Sequence, residues 1–174
     1  MKELDLAKEA GFTNACAINT DALVAMTEVR DMCASGRCKV YGKRWACPPA
    51  CGTLEECAAR MKKYTGGILV QTTAKMKDDF DVETMLGTEV THKEHFIKLA
   101  AAIRGLHPDC LPLTAGTCTL CRKCTYPDGP CRRPEEMLSS MEAYGLLVSD
   151  VCIKSGAKYN YGPQTMTYTS CILF

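Results

Sequence analysis

The stretch CTLCRKCTYPDGPC, residues 118 to 131, packs four cysteines into one loop-sized segment. Cys118, Cys121 and Cys124 are separated by two residues each, so three thiols sit on one tight turn. The run Tyr126-Pro127-Asp128-Gly129-Pro130 has turn chemistry that folds the chain back and makes Cys131 a candidate fourth member. Packing an apolar core does not demand such spacing, whereas binding a metal does, because its thiolate ligands must converge on one place. The triple C-x2-C-x2-C spacing matches the bacterial ferredoxin pattern, in which close cysteines hold corners of an iron–sulfur cubane and a remote one completes a site. Zinc knuckles more usually draw one C-x2-C pair from each of two places, so zinc stands as the alternative.

A second segment carries Cys33, four residues, Cys38, eight residues, Cys47, three residues and Cys51. These spacings match no ferredoxin run, but Cys47-Pro48-Pro49 resembles the cysteine–proline ending of one. The two prolines stiffen the backbone and remove two amide donors. Two readings stay open: the four cysteines hold a cluster of their own, or three bind and leave one iron open to a small ligand. An ordinary rigid loop with a buried cysteine is the bland account. The whole chain thus calls for one or two clusters, [4Fe–4S] by the spacing.

The compartment bears on how thirteen cysteines are used. The N-terminus MKELDLAKEAGF alternates charge with Leu4, Leu6 and Ala7, unlike the continuous apolar region of a secretory signal. No apolar run approaches the ~20 residues of a membrane span. The chain therefore reads as cytoplasmic, where thiols stay reduced and clustered cysteines are ligands rather than disulfides. A net charge of +1 exerts no global pull toward nucleic acid or anionic membrane.

The scaffold reads as α/β or α+β: a single sandwich domain over residues 1–174, with a central sheet, flanking helices and two cysteine-rich loops. Thr53-Leu54-Glu55-Glu56 is a capping box opening a helix over 54–64. Thr91-His92-Lys93-Glu94 reads the same way, ahead of a helix burying Phe96, Leu99, Ile103 and Leu106. Ser139-Ser140-Met141-Glu142 predicts a short helix ending near Gly145, and residues 22–33 carry a helical stripe. Strands are expected at 15–19, 67–73, 110–114 and 165–173, with a flexible charged stretch from Lys75 to Gly87. Both cysteine segments fall between these elements, so they are expected on the same side of the sheet.

The combination of Cys33, Cys38, GKRWACPP, CTLCRKCTYPDGPCRRP and SMEAYG resembles an uncharacterised family of predicted metal-binding proteins, a cysteine-rich domain of unknown function from anaerobic bacteria and methanogens. The likeness spans nearly the whole chain. It implies metal binding in an anaerobic setting and carries onto Cys33, Cys38, Cys47, Cys118, Cys121, Cys124 and Cys131. Cys51 is not assigned by it. It implies no reaction.

Other residues have plainer roles. Cys57 lies on the apolar face of its helix, and Cys16, Cys110, Cys152 and Cys171 lie in apolar surroundings, where cysteine acts as a small hydrophobe. His92 and His95 share a helix face and read as exposed histidines near a helix start rather than ligands. Arg37, Lys39, Lys43 and Arg44 flank one loop, and Arg122, Lys123, Arg132 and Arg133 the other, a basic shell that offsets thiolate charge or forms a rim. Interleaved aromatics are few, so nucleic acid is not an expected partner. No catalytic motif stands out, so any enzymatic role rests on the metal. Three functions follow: an electron-transfer module for a protein redox partner, an enzyme using an open-site cluster for sulfur transfer or dehydration-type chemistry, and a zinc-binding interaction domain or metallochaperone. The first is preferred. Oligomeric state is not legible.

Overall fold

The computed structural model describes residues 1–174. Five strands form one sheet in the order β1 (Asn14–Ala17), β2 (Gly67–Lys75), β5 (Thr165–Leu173), β3 (Leu111–Thr114), β4 (Ser139–Ser140). All pairings are antiparallel except β3 with β4. β2 and β5 are the longest strands and pair along their full lengths, from Gly67 opposite Leu173 to Lys75 opposite Thr165.

Side chains alternate across a strand, so each of these two central strands feeds both faces. Ile68, Val70 and Ile172 pack with Phe96, Leu99, Ala100 and Ile103 on one side. There α1 (Lys2–Glu9) and α4 (Val82–Leu106) cover the sheet. Leu69, Cys171 and Leu173 point the other way and pack with Met61, Met141, Leu146, Val151 and Cys152. That second face is covered by α3 (Leu54–Met61), α5 (Val148–Lys154) and the 141–146 segment. The result is a three-layer mixed α/β sandwich, as the sequence predicts.

The α3 capping box forms as expected. Glu56 N–H donates to Thr53 Oγ1 at 3.2 Å, and Thr53 N–H donates to Glu56 Oε2 at 2.8 Å. The Thr91 box does not start a helix: α4 begins at Val82, so Thr91 lies inside it. The true cap is Asp81, which accepts from Lys77 N, Thr84 N and Thr84 Oγ1. Its carboxylate satisfies two amides and a hydroxyl at once, which outweighs the roughly 1 kcal/mol that Gly87 costs within the helix. The stretch Lys75–Gly87 thus comprises the end of β2, a short turn and the first turns of α4.

Residues 22–33 also divide. A 3-10 turn covers Thr20–Ala22, and α2 (Thr27–Ala34) starts only after an extended Met26. Met26 N–H instead donates to Gly145 O at 2.8 Å. Ser139 and Ser140 pair with β3 as β4, and a 3-10 turn then covers Glu142–Tyr144, closed by Gly145. Gly145 has φ +76, and a Cβ there would come within 2.6 Å of Leu54 Cδ1 and 2.9 Å of Met26 N, so only glycine fits. This close approach holds the 139–145 segment against the start of α2. No helix is long and apolar enough to cross a membrane.

Candidate metal centre

The first cysteine loop joins α2 to α3, and the second follows β3. They meet on one side of the molecule and are tied together directly. Arg44 Nη1 donates to Cys118 O at 2.8 Å, and Trp45 Nε1 donates to Gly129 O at 3.0 Å. The Trp45 ring also meets Tyr126 edge-on, with centroids 5.0 Å apart. These contacts are long-range in sequence, so the loops are held by each other as well as by the elements they connect.

Two pockets open in this region. One is lined by Cys118, Cys121, Cys124 and Cys131, with Arg44 and Trp45 closing it from the other loop. The other is lined by Cys33, Cys38 and Cys47, together with Thr117, Ser140 and Glu142. The two share walls: Ala46 lines one and Cys47 the other, and likewise Cys118 and Thr117. Adjacent residues are ~3.8 Å apart along the backbone, so the pockets stand back to back.

The thiols differ in their surroundings. Burial raises the Cys124 thiol, but the backbone N–H groups of Tyr126 and Trp45, the Arg44 guanidinium and the Thr125 N–H outweigh it, so the thiol lies below its ordinary value. Such donors favour the thiolate, the form that binds metal. Burial pushes the Cys47 thiol up, with Cys38 and Cys118 adding to the effect, while Thr117 and Arg44 oppose it. Thr117 Oγ1 lies 3.1 Å from Cys47 Sγ. Cys33, in the last turn of α2, is raised by burial and by Cys38, Glu142 and Cys47.

Cys51 is placed elsewhere. Its side chain is buried and lines neither pocket. Arg30 reaches it through Nη2 at 3.7 Å and reaches Cys57 through Nη1 at 3.8 Å, while also donating to Gly52 O. Cys51 and Cys57 interact with each other, and this contact, together with Arg30 and Arg60, lowers the Cys57 thiol. Cys57 is fully buried, as its helix face predicts, and Cys152 and Cys171 join it in the core of the same face. Cys16 packs against that core, while Cys110 packs against the cluster on the opposite face.

His92 is not exposed near a helix start. It lies mid-helix in α4, fully buried, between Thr72 Oγ1 at 2.8 Å and Ser170 Oγ at 2.7 Å. Burial, with His95 and Lys93 nearby, pushes it down to about 3. It is a satisfied core histidine under the opposite face of the sheet.

Glu142, Thr117 and Arg30 are the residues near the thiols that sequence reasoning did not select. Glu142 reads in sequence as part of a capping box, and nothing in its spacing relates it to Cys33 or Cys38. Its place in the pocket comes from the pairing of β4 with β3.

No three Cys, His, Asp or Glu side chains converge closely enough to hold a single metal ion. The thiols line pocket walls instead. Four sulfurs on one zinc would stand about 3.8 Å apart, from Zn–S bonds of about 2.3 Å in a tetrahedron. A polynuclear cluster carries its thiolates on separate irons and accepts a wider ring. The four-thiol pocket, with the amides and guanidinium that favour the Cys124 thiolate, suits a thiolate-ligated metal group. No curated protein and no solved structure matches this chain. The sequence model of one family, described as "Predicted metal-binding protein (DUF2284)", matches residues 16–174, and the chain belongs to that family.

Proposed function

We propose that the chain is an iron–sulfur redox protein with two centres, passing electrons to a protein partner. The observation that carries this reading is the pair of back-to-back, thiol-lined pockets with shared walls. When bound, a thiolate-ligated cluster supplies reversible one-electron chemistry. Cys118, Cys121, Cys124 and Cys131 would hold one such group, and Cys33, Cys38 and Cys47 the other.

The chain's own residues tune and position these groups. Arg44 sits between the pockets and offsets thiolate charge on both sides, since it acts on Cys47 and on Cys124. Amide donors around Cys124 favour the more negative state of whatever the thiolate binds, which raises its potential. Trp45 and Tyr126 pack the joint between the loops and keep its geometry fixed during electron movement. Arg122, Lys123 and Arg132 are exposed beside the four-thiol pocket. They suit a partner that presents an acidic face, with association that weakens as salt rises.

The deciding experiment is anaerobic preparation with iron, acid-labile sulfide and zinc analysis, followed by electron paramagnetic resonance after reduction. The expected result is brown protein with about eight irons and eight sulfides per chain, the content of two [4Fe–4S] groups. Colourless protein with stoichiometric zinc overturns the reading.

A further inference from the structure

The two pockets are not equivalent in their donors. One offers four thiols. The other offers three, because Cys51, its fourth candidate by spacing, is turned into the core between Arg30 and Cys57. The rest of its lining is largely apolar, and the side chains there that bring oxygen are Glu142, Ser140, Thr117 and Tyr41.

Two of these oxygens are already engaged. Ser140 Oγ accepts from Ala143 N at 3.0 Å, and Thr117 Oγ1 lies 3.1 Å from Cys47 Sγ. Glu142 has neither a hydrogen-bond partner nor a salt bridge for its carboxylate, although it is half-buried. It is not on a loose loop. It opens the 3-10 turn Glu142–Tyr144, which hangs from the β3–β4 pairing and is pinned by Gly145 against Met26 at the start of α2. α2 is the helix that carries Cys33, so the carboxylate and the thiol are set by the same junction. Its charge is felt at the Cys33 thiol. Glu142 thus brings an unpartnered carboxylate to the same pocket that Cys33, Cys38 and Cys47 line.

We propose that Cys33, Cys38 and Cys47 supply three thiolates to an iron–sulfur group whose fourth position is met by the Glu142 carboxylate and is exchangeable for a small anionic ligand. This rests on the iron–sulfur reading above and divides the labour between the pockets. The four-thiol centre is saturated by protein sulfur and suits electron transfer alone. The three-thiol centre keeps one iron on a hard, weak oxygen ligand, which a small external anion can replace.

The test uses the full chain loaded anaerobically with iron and sulfide. An iron lacking a thiolate is the one a cluster loses on mild oxidation: [4Fe–4S]²⁺ becomes [3Fe–4S]⁺ and Fe²⁺, and the electron goes to ferricyanide. The expected result is loss of about one iron per chain, a three-iron paramagnetic signal, and recovery on adding Fe²⁺ with dithionite. Cyanide, as the small-anion probe, should alter the spectrum of one centre and leave the other unchanged. Glu142→Cys should abolish both the labile iron and the cyanide effect, and Glu142→Ala should speed the loss of that one iron and let cyanide act at lower concentration. Cys51→Ala should keep full iron and the same labile fraction. A chain with full iron but no labile iron and no response to cyanide overturns this inference and leaves the two-centre reading intact. Loss of about half the iron in Cys51→Ala also overturns it, since Cys51 would then be a ligand. A chain without iron and sulfide overturns the reading beneath it as well.

Discussion

The loop after β3 and the loop after α2 solve one problem in two ways. The first draws its four thiols from residues 118 to 131 and is nearly self-contained. Short spacing and turn chemistry bring the sulfurs to one pocket, which Arg44 and Trp45 of the other loop then close. The second draws on the last turn of a helix, two separated loop positions and oxygen-bearing side chains from beyond β3. It exists only once the sheet has formed. A local cluster of thiols is visible in spacing, while a composite one is visible only in which of its candidates the fold turns away.

Deleting one thiol from each loop should separate the two regions most strongly. Cys121→Ala is expected to remove about half of the iron, because the middle ligand of a three-cysteine turn has no nearby substitute. Cys47→Ala is expected to remove the other half, and the double variant nearly all of it. Iron and sulfide measured anaerobically on the three variants decide this. Full iron in Cys121→Ala sinks the local site, and parallel loss of all iron in either single variant would merge the two sites into one.

A smaller effect addresses the joint between the loops. Trp45→Ala removes the edge contact with Tyr126 and the hydrogen bond to Gly129, and is expected to cost about 2–3 kcal/mol. Anaerobic urea denaturation measures it. An unchanged midpoint would mean that the loops are held independently.

The opposite face of the sheet supplies a control through His92. Its folded value is pushed down to about 3, whereas an imidazole in the unfolded chain titrates near 6.5. Below that pH the unfolded chain binds the proton and the folded one does not. Stability is therefore full above about pH 6.5 and falls with decreasing pH, by about 2 kcal/mol between pH 6.5 and 5. His92→Gln is expected to lose this part of the slope. Parallel pH profiles for the two proteins, from denaturation at each pH, would show that His92 is charged in the fold.

The smallest effect separates core thiols from ligands. Cys57→Ala should keep all iron and lose on the order of 1 kcal/mol from packing. A large loss of iron would place the Cys51–Cys57 pair among the ligands.

Much of the scaffold was legible from residue pattern. β2 and β5 are continuous apolar or β-branched runs, and the Thr53–Glu56 box sits directly before its helix, so each element carries its own signal. The misread elements share a physical cause. Thr91 has the letters of a cap but lies in a helix already started by Asp81, and Ser139–Ser140 spend their backbone groups on β3 rather than on a helix. In each case a partner outside the local window won the competition.

Residue order alone shows that the chain crowds its thiols into two segments and that four of them form a compact set, because spacing over a few residues is a local property of the backbone. Only the tertiary structure decided that the two segments stand back to back, that Cys51 turns inward to Arg30 and Cys57, and that Glu142 faces Cys33, Cys38 and Cys47. Those placements follow from the register of β3 with β4 and β5 and from the close approach of Gly145 to Met26. They are set by contacts between residues far apart in the chain, and no local pattern encodes them.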